Sequence, residues 1–254
     1  MSNIIIATPV LSDAATLSAD DETTAGPVTN LQKMQRTDVW ESESTTAYLV
    51  IDLGAVTTFN VIALLSMNAV VTDTWRIRTA NTEVDLTGDP AQDTTATALT
   101  DMSPDGDIFH WITAGWSNRW VRIDMATASS PFMAGRVYVA NALEFAVNYQ
   151  YGGEDGYSDD SQIAVTDGGN LIPGSGSNRA ILNFTLNIMS ETERHAIREL
   201  NRTSGATNDV IVITDPTAAT NKQDVLYHGL LQSRRVTITT AFNRNQANYQ
   251  LTSL

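Results

Sequence analysis

The residues that could perform acid–base or nucleophilic catalysis are few and widely separated in the sequence. The histidines are His110, His195 and His228, and the chain has no cysteine. Without cysteine, disulfides, thiolate zinc sites, iron–sulfur clusters and cysteine nucleophiles are excluded. The sequence has neither a Gly-x-Ser-x-Gly turn nor a His-Glu-x-x-His pair. We therefore predict that the protein is not an enzyme and that it has no catalytic residue, metal or cofactor.

Each histidine has a structural interpretation. His195 lies in a predicted helix, where we expect it to be exposed to solvent. His228 lies within a strand pattern, which indicates a hydrogen-bonded structural role. His110 stands next to Trp111, and we expect it in the core, with stacking on a ligand as the alternative.

Acidic residues are numerous, so clusters are expected by chance. Asp101, Asp105 and Asp107 flank a glycine turn and could bind calcium through oxygen ligands. No glutamate closes an EF-hand loop, however, and a solvated acidic turn is the preferred interpretation. The Asp20-Asp21-Glu22 run is interpreted as a solvated loop. Gly174-Ser175-Gly176-Ser177 lacks a following Lys-Ser/Thr and predicts a surface loop rather than a phosphate-binding loop.

All five tryptophans lie in the first half of the chain. Trp75 and Trp120 fall in the middle of predicted strands, and we expect them in the core. Trp40, Trp111 and Trp116 flank predicted turns, where an indole ring would offer a sugar a flat apolar surface. These three residues are therefore our candidate glycan contacts.

The charge balance excludes two classes of partner. The chain has 254 residues with 15 Lys+Arg against 29 Asp+Glu, a net charge of -14. Binding to nucleic acid or to an anionic membrane requires clustered cations, so we expect neither. No apolar run approaches the roughly 18 residues of a membrane-spanning helix, so we expect no membrane insertion. Residues 1–17 contain no Lys or Arg, which a signal peptide would carry at its start.

Polar and glycine-rich sequence at 152–177 divides the chain into two parts. We predict an N-terminal arm at 1–24, a β-sandwich (jelly roll) at 25–149, and a β-rich α+β domain with one helix at 150–254. The predicted fold class is therefore mainly β.

The first part contains several segments with the alternation or the composition of strands. Residues 74–79 alternate, so that Trp75 and Ile77 share one face and the arginines share the other. Residues 59–65 are almost continuously apolar and fit a strand that is buried on both faces. The strands predicted in this part are 47–54, 59–65, 74–79, 119–124 and 137–147.

The second part contains one convincing helix. Ser190-Glu191-Thr192-Glu193 is a capping box, in which Ser190 and Glu193 bond each other's backbone amides. Ala196, Ile197 and Leu200 share the apolar face, and Gly205 is the predicted stop. The strands predicted around this helix are 179–188, 210–214, 225–231, 235–241 and 247–252.

Residues 25–148 resemble the discoidin-type galactose-binding jelly roll. The resemblance is carried by Trp40, the strand Tyr48-Leu49-Val50-Ile51-Asp52-Leu53-Gly54, the apolar segment 59–64, and Arg119-Trp120-Val121-Arg122-Ile123. It implies a β-sandwich whose sugar specificity lies in variable loops.

The chain also resembles the tail-tip proteins of tailed bacteriophages. The resemblance is carried in the first part by 27–32 and 63–68, and in the second part by the strand 180–188, the capped helix, 210–216 and 227–231. Over residues 178–253 it is to distal-tail modules, which form a ring around the tail channel. It implies a structural virion protein of the tail tip or baseplate, assembled in the host cytoplasm.

The tail-tip resemblance implies a homo-oligomeric ring, expected to be a hexamer, that joins the tail tube to baseplate hub or receptor-binding proteins. Glycine-rich loops would order against a neighbouring subunit, and the candidate inter-subunit residues are Tyr151, Gly152, Gly153, Tyr157 and Gly174.

Two alternatives remain open. One is a carbohydrate-binding module protein, either a phage receptor binder or an adhesin, that contacts a host surface glycan; this role is compatible with a place in a tail. The other is an enzyme that degrades polysaccharide through paired carboxylates.

Overall fold

The structure is a computed structural model, and it describes residues 3–103, 105–127, 131–150, 153–159, 161, 163–165, 171–174, 176, 178–188, 190–204, 207–218, 224–232, 237–241 and 244–254. The chain divides into two units, Met1–Glu144 with Ile211–Leu226, and Phe145–Val210 with Tyr227–Leu254. The predicted boundary at 149–150 lies close to the first crossing. Residues 211–226 belong to the first unit, however, although we expected them in the second.

The first unit is a β-sandwich with only short helical segments, which agrees with the predicted fold. Its elements are β1 (Ile5–Ala7), α1 (Val10–Ala14), β2 (Thr16–Ala19), a 3₁₀ helix (Val28–Gln32), β3 (Trp40–Glu41), β4 (Thr46–Leu65), β5 (Thr74–Ala80), α2 (Asp85–Gly88), β6 (Gln92–Asp93), β7 (Thr97–Ala98), β8 (Ile108–Ala126), β9 (Met133–Ala134), β10 (Arg136–Ala140) and β11 (Leu143–Glu144).

The main sheet of this unit has the strand order β10-β4-β8-β5-β6, with β2 on β4 and β7 on β5. Its pairings are antiparallel, and the inward faces of its strands are apolar. One core cluster contains Leu49, Ile51, Ile77, Val121 and Ile123. The alternation predicted for 74–79 and 119–124 is therefore confirmed, because these inward residues are buried and the arginines between them lie on the other face.

The prediction that 59–65 is buried on both faces is confirmed. Ile62 and Leu64 pack in the core cluster just described. Val61, Ala63 and Leu65 pack in a second cluster, to which β1, Ile211 and Ile213 also contribute. This part of β4 therefore lies between two apolar clusters of the first unit.

Two predicted strands are joined into one. Residues 47–54 and 59–65 both belong to β4, which has an irregularity in its pairing with β8 between Asp52 and Thr57. Gly54, with φ of +77°, lies in this bulge, and its N–H donates to Asp52 Oδ1 at 2.8 Å. The glycine that we expected to end a strand bends one instead.

The predicted strand 137–147 is split into β10 and β11. The side chain of Asn60 binds the backbone at the break: Ala142 N–H donates to Asn60 Oδ1 at 2.6 Å, and Asn60 Nδ2 donates to the Ala142 carbonyl at 3.2 Å. These side-chain bonds take the place of strand pairing at that point.

The described residues of the predicted N-terminal arm, 1–24, pack within the first unit. Ile4, Ile5 and Ile6 are at most 1% exposed, and β1 pairs with β11. β2 pairs with β4 over Thr16–Ala19. An apolar run of this length is buried in its own unit, because leaving it in solvent would cost several kcal/mol, at about 1.5–3 kcal/mol for each buried side chain.

The second unit is β-rich with one long helix, as predicted. Its elements are β12 (Glu154–Asp159), β13 (Ile163–Val165), β14 (Leu171–Pro173), β15 (Asn178–Ile188), α3 (Glu191–Ser204), β16 (Asp209–Ile213, divided between the units), β17 (Leu226–Gln232, likewise divided), β18 (Thr237–Ala241) and β19 (Arg244–Ser253). None of the helices in the described part of the chain is long and apolar enough to cross a membrane.

The capping box that begins α3 is confirmed. Glu193 N–H donates to Ser190 Oγ at 3.1 Å, and Ser190 N–H donates to Glu193 Oε2 at 3.1 Å. Ile197 and Leu200 are buried on the inner face of the helix. The predicted stop, Gly205, lies outside the described residues, and the helix ends at Ser204.

Candidate functional site

The outer face of the sheet in the first unit carries a cluster of charged and aromatic side chains. The strands β4, β8 and β5 lie side by side, with Tyr48 opposite Asp124 and Asp124 opposite Arg76. In the next row Arg122 lies opposite Arg78. Because side chains alternate along a strand, these residues face away from the apolar core that their neighbours fill. We call this set the outer-face cluster: Tyr48, Arg76, Arg78, Arg122 and Asp124.

Two arginines of the outer-face cluster share one carboxylate. Arg78 donates from Nε and Nη2 to Asp124 Oδ2 at 3.0 and 2.7 Å, and from Nη2 to Oδ1 at 2.8 Å. Arg122 donates from Nε to Asp124 Oδ1 at 2.8 Å, and its Nη2 forms an ion pair with the same oxygen at 2.7 Å. The two guanidinium groups would repel each other without this carboxylate, because they lie opposite each other on neighbouring strands.

Arg122 also lies over an aromatic ring. Its guanidinium carbon is 3.5 Å from the centre of the Tyr48 ring, a cation–π contact that holds both side chains in place. The Tyr48 backbone N–H donates to Asp20 Oδ1 at 2.9 Å. No described residue makes a hydrogen bond with the Tyr48 hydroxyl group.

Arg76 extends the cluster to its exposed end. It donates to both carboxylate oxygens of Asp93, from Nε at 2.8 Å and from Nη2. This hydrogen bonding lowers the pKa of Asp93 to about 2 and raises the pKa of Arg76. Arg76 is 39% exposed, against 10% for Arg78 and 15% for Arg122.

A cleft of about 340 Å³ opens above these side chains. Its polar lining comes from the outer-face cluster together with Asp20, Thr46 and Thr74, and Trp75 and Met125 are among its apolar residues. Its volume lies at the lower end of the range of about 300–1,000 Å³ for small-molecule sites. The arrangement can bind a small polar ligand through rigid, charge-assisted hydrogen bonds.

The structure places the three candidate glycan-contact tryptophans apart from this cleft. Trp40 is fully buried, with its ring 5.3 Å from that of Phe132 in an edge-on contact. A buried ring cannot stack on a sugar, so Trp40 has a structural role in this conformation. Trp40 lies on β3, which pairs with β9.

Trp111 and Trp116 are partly buried and pack against different core clusters. The Trp116 ring lies 6.4 Å from Phe59 and 5.5 Å from His110. The Trp111 Nε1 atom is buried, and no described residue accepts a hydrogen bond from it. The structure thus brings Trp116 and His110 together, but it does not assemble the three tryptophans into one surface.

The candidate inter-subunit residues fall partly outside the described chain. Tyr151 and Gly152 are among the residues that are not described. Gly153 and Gly174 are exposed, and Tyr157, on β12, is 80% exposed. Their predicted role at a subunit interface stays a prediction.

One acidic residue departs from the sequence interpretation. Asp107 is not part of a solvated turn: it is 7% exposed, ion-paired with Arg36, and accepts the Ser66 N–H at 2.8 Å. Burial raises the pKa of Asp107 to about 6. In the described part of the chain, no group of three or more His, Asp and Glu side chains is placed to hold a metal ion.

The Asp20–Glu22 run is more than a solvated loop. Its carboxylates accept hydrogen bonds from chain segments that follow it, at Tyr48, Ser44 and Val28. It therefore fastens the chain after β2 to the beginning of β4 and to the 3₁₀ helix.

Two histidines agree with their sequence interpretations. His195 is exposed on α3. His228 is buried, with its Nε2 3.0 Å from Asp209 Oδ2, which fits a hydrogen-bonded structural role.

Sequence reasoning missed the outer-face cluster, although a signal was present. The alternation of 74–79 and 119–124 already placed Arg76, Arg78, Arg122 and Asp124 on outward faces. What the sequence did not contain was the order of the strands and their register, which bring Tyr48, 74 residues away from Arg122 in sequence, into contact with it.

No protein-family model matches the sequence, and no curated protein matches it. Several solved structures with partial similarity are sugar-binding modules, and another is a GH29 fucosidase from Ruminococcus gnavus. A chitosan-binding module of a chitosanase/glucanase from Paenibacillus sp. IK-5 is 18% identical, with a TM-score of 0.41, over 51% of this chain and 96% of the module. A fucose-binding module from Streptococcus pneumoniae is 9% identical, with a TM-score of 0.41, over 52% and 94%.

The lectin domain of lectinolysin, complexed with Lewis B antigen, is 15% identical, with a TM-score of 0.41, over 52% of this chain and 97% of the domain. Each similarity to a sugar-binding module covers about half of this chain and nearly all of that module. With TM-scores below 0.5, they assign no ligand to this protein.

Proposed function

We propose that the protein is a non-catalytic carbohydrate-binding protein and that the outer cleft of the first unit is its sugar site. The observation that carries this proposal is the rigid array of Arg78, Arg122 and Asp124 beside the Tyr48 hydroxyl group. Sugars present neighbouring hydroxyl groups, and planar charged side chains can bind such pairs with two hydrogen bonds. A cleft with a few fixed polar groups is the usual form of a small-ligand site.

The cluster is ordered before any ligand arrives. Ion pairs restrain the long side chains of Arg78 and Arg122, and the cation–π contact restrains Arg122 further. Binding would then cost little side-chain entropy, which for a mobile arginine amounts to about 0.5–1.5 kcal/mol. Weak polar ligands such as sugars gain most from such preorganisation.

The same contacts favour binding over hydrolysis. Glycosidases place two carboxyl groups on either side of the scissile bond, at about 5 Å or more from each other. Asp124, in contrast, is occupied by two guanidinium groups. A carboxylate held in this way positions arginines rather than attacking a sugar.

The proposal is tested by measuring sugar binding to purified protein with a glycan array, followed by calorimetry on the best ligand. Tyr48→Phe removes only the hydroxyl group, and we expect it to weaken binding by about 3- to 10-fold, the value of one lost hydrogen bond. Tyr157→Phe is the matched control, because that tyrosine is exposed on β12 and outside the cleft.

Two results would overturn this proposal. If no glycan binds, the protein is not a carbohydrate-binding protein. If Trp116→Ala abolishes binding while Tyr48→Phe has no effect, the sugar site lies at Trp116 and not in the outer cleft.

A structural role in a phage tail tip is the second candidate function. It is supported by Tyr157, which is 80% exposed on a strand whose other side chains are also mostly exposed. Large exposed aromatic residues are enriched in protein interfaces. Light scattering with negative-stain imaging tests it: six-fold rings would support this role and a virion location, whereas a monomer at high concentration would count against self-assembly.

A further inference from the structure

We infer that the outer cleft selects acidic sugars, with the carboxylate of a uronic acid residue held by Arg78 and Arg122. This inference rests on the proposed function and deepens it by naming the ligand class. It follows from the hydrogen bonds at the shared carboxylate. These bonds occupy the acceptor oxygens of Asp124 but leave N–H donors of the two arginines unused.

The acceptor capacity of Asp124 is used within the protein. Its Oδ1 accepts hydrogen bonds from Arg78 Nη2 and Arg122 Nε, both at 2.8 Å, and lies 2.7 Å from Arg122 Nη2 in an ion pair. Its Oδ2 receives Arg78 Nε at 3.0 Å and Nη2 at 2.7 Å. An ionised carboxylate offers about four lone-pair positions, so Asp124 has little left for a ligand hydroxyl group.

The donor capacity of the two arginines is not used up. A guanidinium group has about five N–H donors and no acceptor. The hydrogen bonds of Arg78 and Arg122 engage Nε and Nη2, and no described residue accepts from Nη1 of either side chain. A ligand that reaches this pair therefore meets donors, and the best complement is a group that only accepts.

A carboxylate is that complement. It can accept one hydrogen bond from the Nη1 group of each arginine, and charge-assisted bonds of this kind are about twice as strong as neutral ones. The Tyr48 hydroxyl group can donate to or accept from a hydroxyl on the same sugar ring. The cleft thus combines an anion position with a hydroxyl position, as a uronic acid requires.

The positive charge of the cleft can attract an acidic ligand only over short distances. The lining residues carry three arginines against Asp20 and Asp124, but Asp93, bonded to Arg76, balances the wider group. Since the whole chain has a net charge of -14, long-range attraction of an acidic ligand is not expected. Selectivity comes from direct hydrogen bonds, so affinity for the acid should fall only slightly with added salt.

The experiment compares an oligogalacturonide with its carboxyl-reduced analogue, which has the same linkages and no charge, by calorimetry on the full chain. We expect the acid to bind at least about tenfold more tightly, the ratio for roughly 1.4 kcal/mol. Arg122→Gln should lower the affinity for the acid by about tenfold and change that for the neutral analogue much less. Arg119→Gln is the matched control, because Arg119 pairs with Asp52 and does not line the cleft.

The outcomes separate this inference from the proposed function. If the acid and its neutral analogue bind equally well and Arg122→Gln affects both, the cleft is a sugar site without acid selectivity, and the inference is wrong. If neither ligand nor any other glycan binds, both proposals fail. If inorganic phosphate displaces the acid at similar concentration, the site binds anions in general, and the sugar part of the inference is wrong.

Thermal unfolding of Arg122→Gln serves as the folding control. Should this variant unfold, Arg78→Lys replaces it, since lysine keeps the charge but loses the planar fork. Selectivity for the acid should then fall even though a cation remains.

Discussion

Arginine–aspartate pairs occur in two settings in the first unit, and the setting decides what each pair does. In the interior, the Arg136 side chain is 1% exposed and donates at 2.6 and 2.9 Å to Asp13 on α1, whose own side chain is 38% exposed. On the outer face, Arg78 and Arg122 share Asp124 at the wall of a cleft. The interior pair fastens one chain segment to another, whereas the outer pairs hold the donors of the proposed sugar site in place.

The contrast between an exposed and a buried setting is also visible in the pKa values of two carboxyl groups. Asp93, on the exposed end of the outer face, has its pKa lowered to about 2 by the hydrogen bonds from Arg76. Asp107 also contacts an arginine, yet burial raises its pKa to about 6. An arginine partner therefore does not by itself determine the pKa of a carboxyl group, because desolvation can exceed the attraction.

The largest expected effect in this comparison comes from removing the interior arginine. Arg136→Ala should destabilise the protein by about 2–5 kcal/mol, because it removes a fully buried side chain and takes the guanidinium donor away from the Leu31 carbonyl. Urea unfolding followed by tryptophan fluorescence measures this change. A loss below about 1 kcal/mol, the value for an exposed pair, would show that the interior and outer pairs do not differ in energy.

The second effect concerns pH. The folded state binds the Asp107 proton more tightly than the unfolded state does. The stabilisation that this proton provides should therefore be fully present below pH 4 and should be lost as pH rises through about 6. The rise of about two pKa units corresponds to at most about 3 kcal/mol. Asp107→Asn should remove this part of the pH dependence, as measured by urea unfolding at several pH values.

The variant Asp107→Asn keeps the shape of the side chain and can still accept from the Ser66 N–H. Parallel pH profiles for the two proteins between pH 4 and 6 would mean that Asp107 titrates as it does in solvent, and that the buried setting has no electrostatic consequence.

Much of the fold is predictable from the sequence because local patterns and tertiary packing agree. The alternation in β5 and β8 predicts which side chains are buried, and the capping box predicts the start of α3 at Ser190. The apolar run in β4 predicts burial on both faces. In each case the signal lies within a few residues, so neighbours in sequence are sufficient to read it.

The rest depends on contacts between distant segments. The return of residues 211–226 to the first unit, the burial of Trp40 against Phe132 and the meeting of Tyr48 with Arg122 all require strand order and register. A turn-flanking tryptophan has the same local sequence whether it faces solvent or core. For this reason the sequence predicts a sugar site at the tryptophans and does not predict the outer-face cluster.

The smallest expected effect tests the exposed end of the outer face. Although Arg76 lowers the pKa of Asp93 to about 2, both side chains reach solvent, and water screens their attraction. A double-mutant cycle of Arg76→Ala and Asp93→Ala should therefore give a coupling energy of only about 0.2–1 kcal/mol, and added salt should reduce it. Because the pKa of Asp93 is lowered, this contribution is present above pH 4 and is lost as pH falls toward 2, opposite in sign to that of Asp107. A coupling energy of about 3 kcal/mol or more, unaffected by salt, would contradict this expectation. The Arg76–Asp93 pair would then be as strong as a buried ion pair, and the outer arginines would not differ in energy from Arg136.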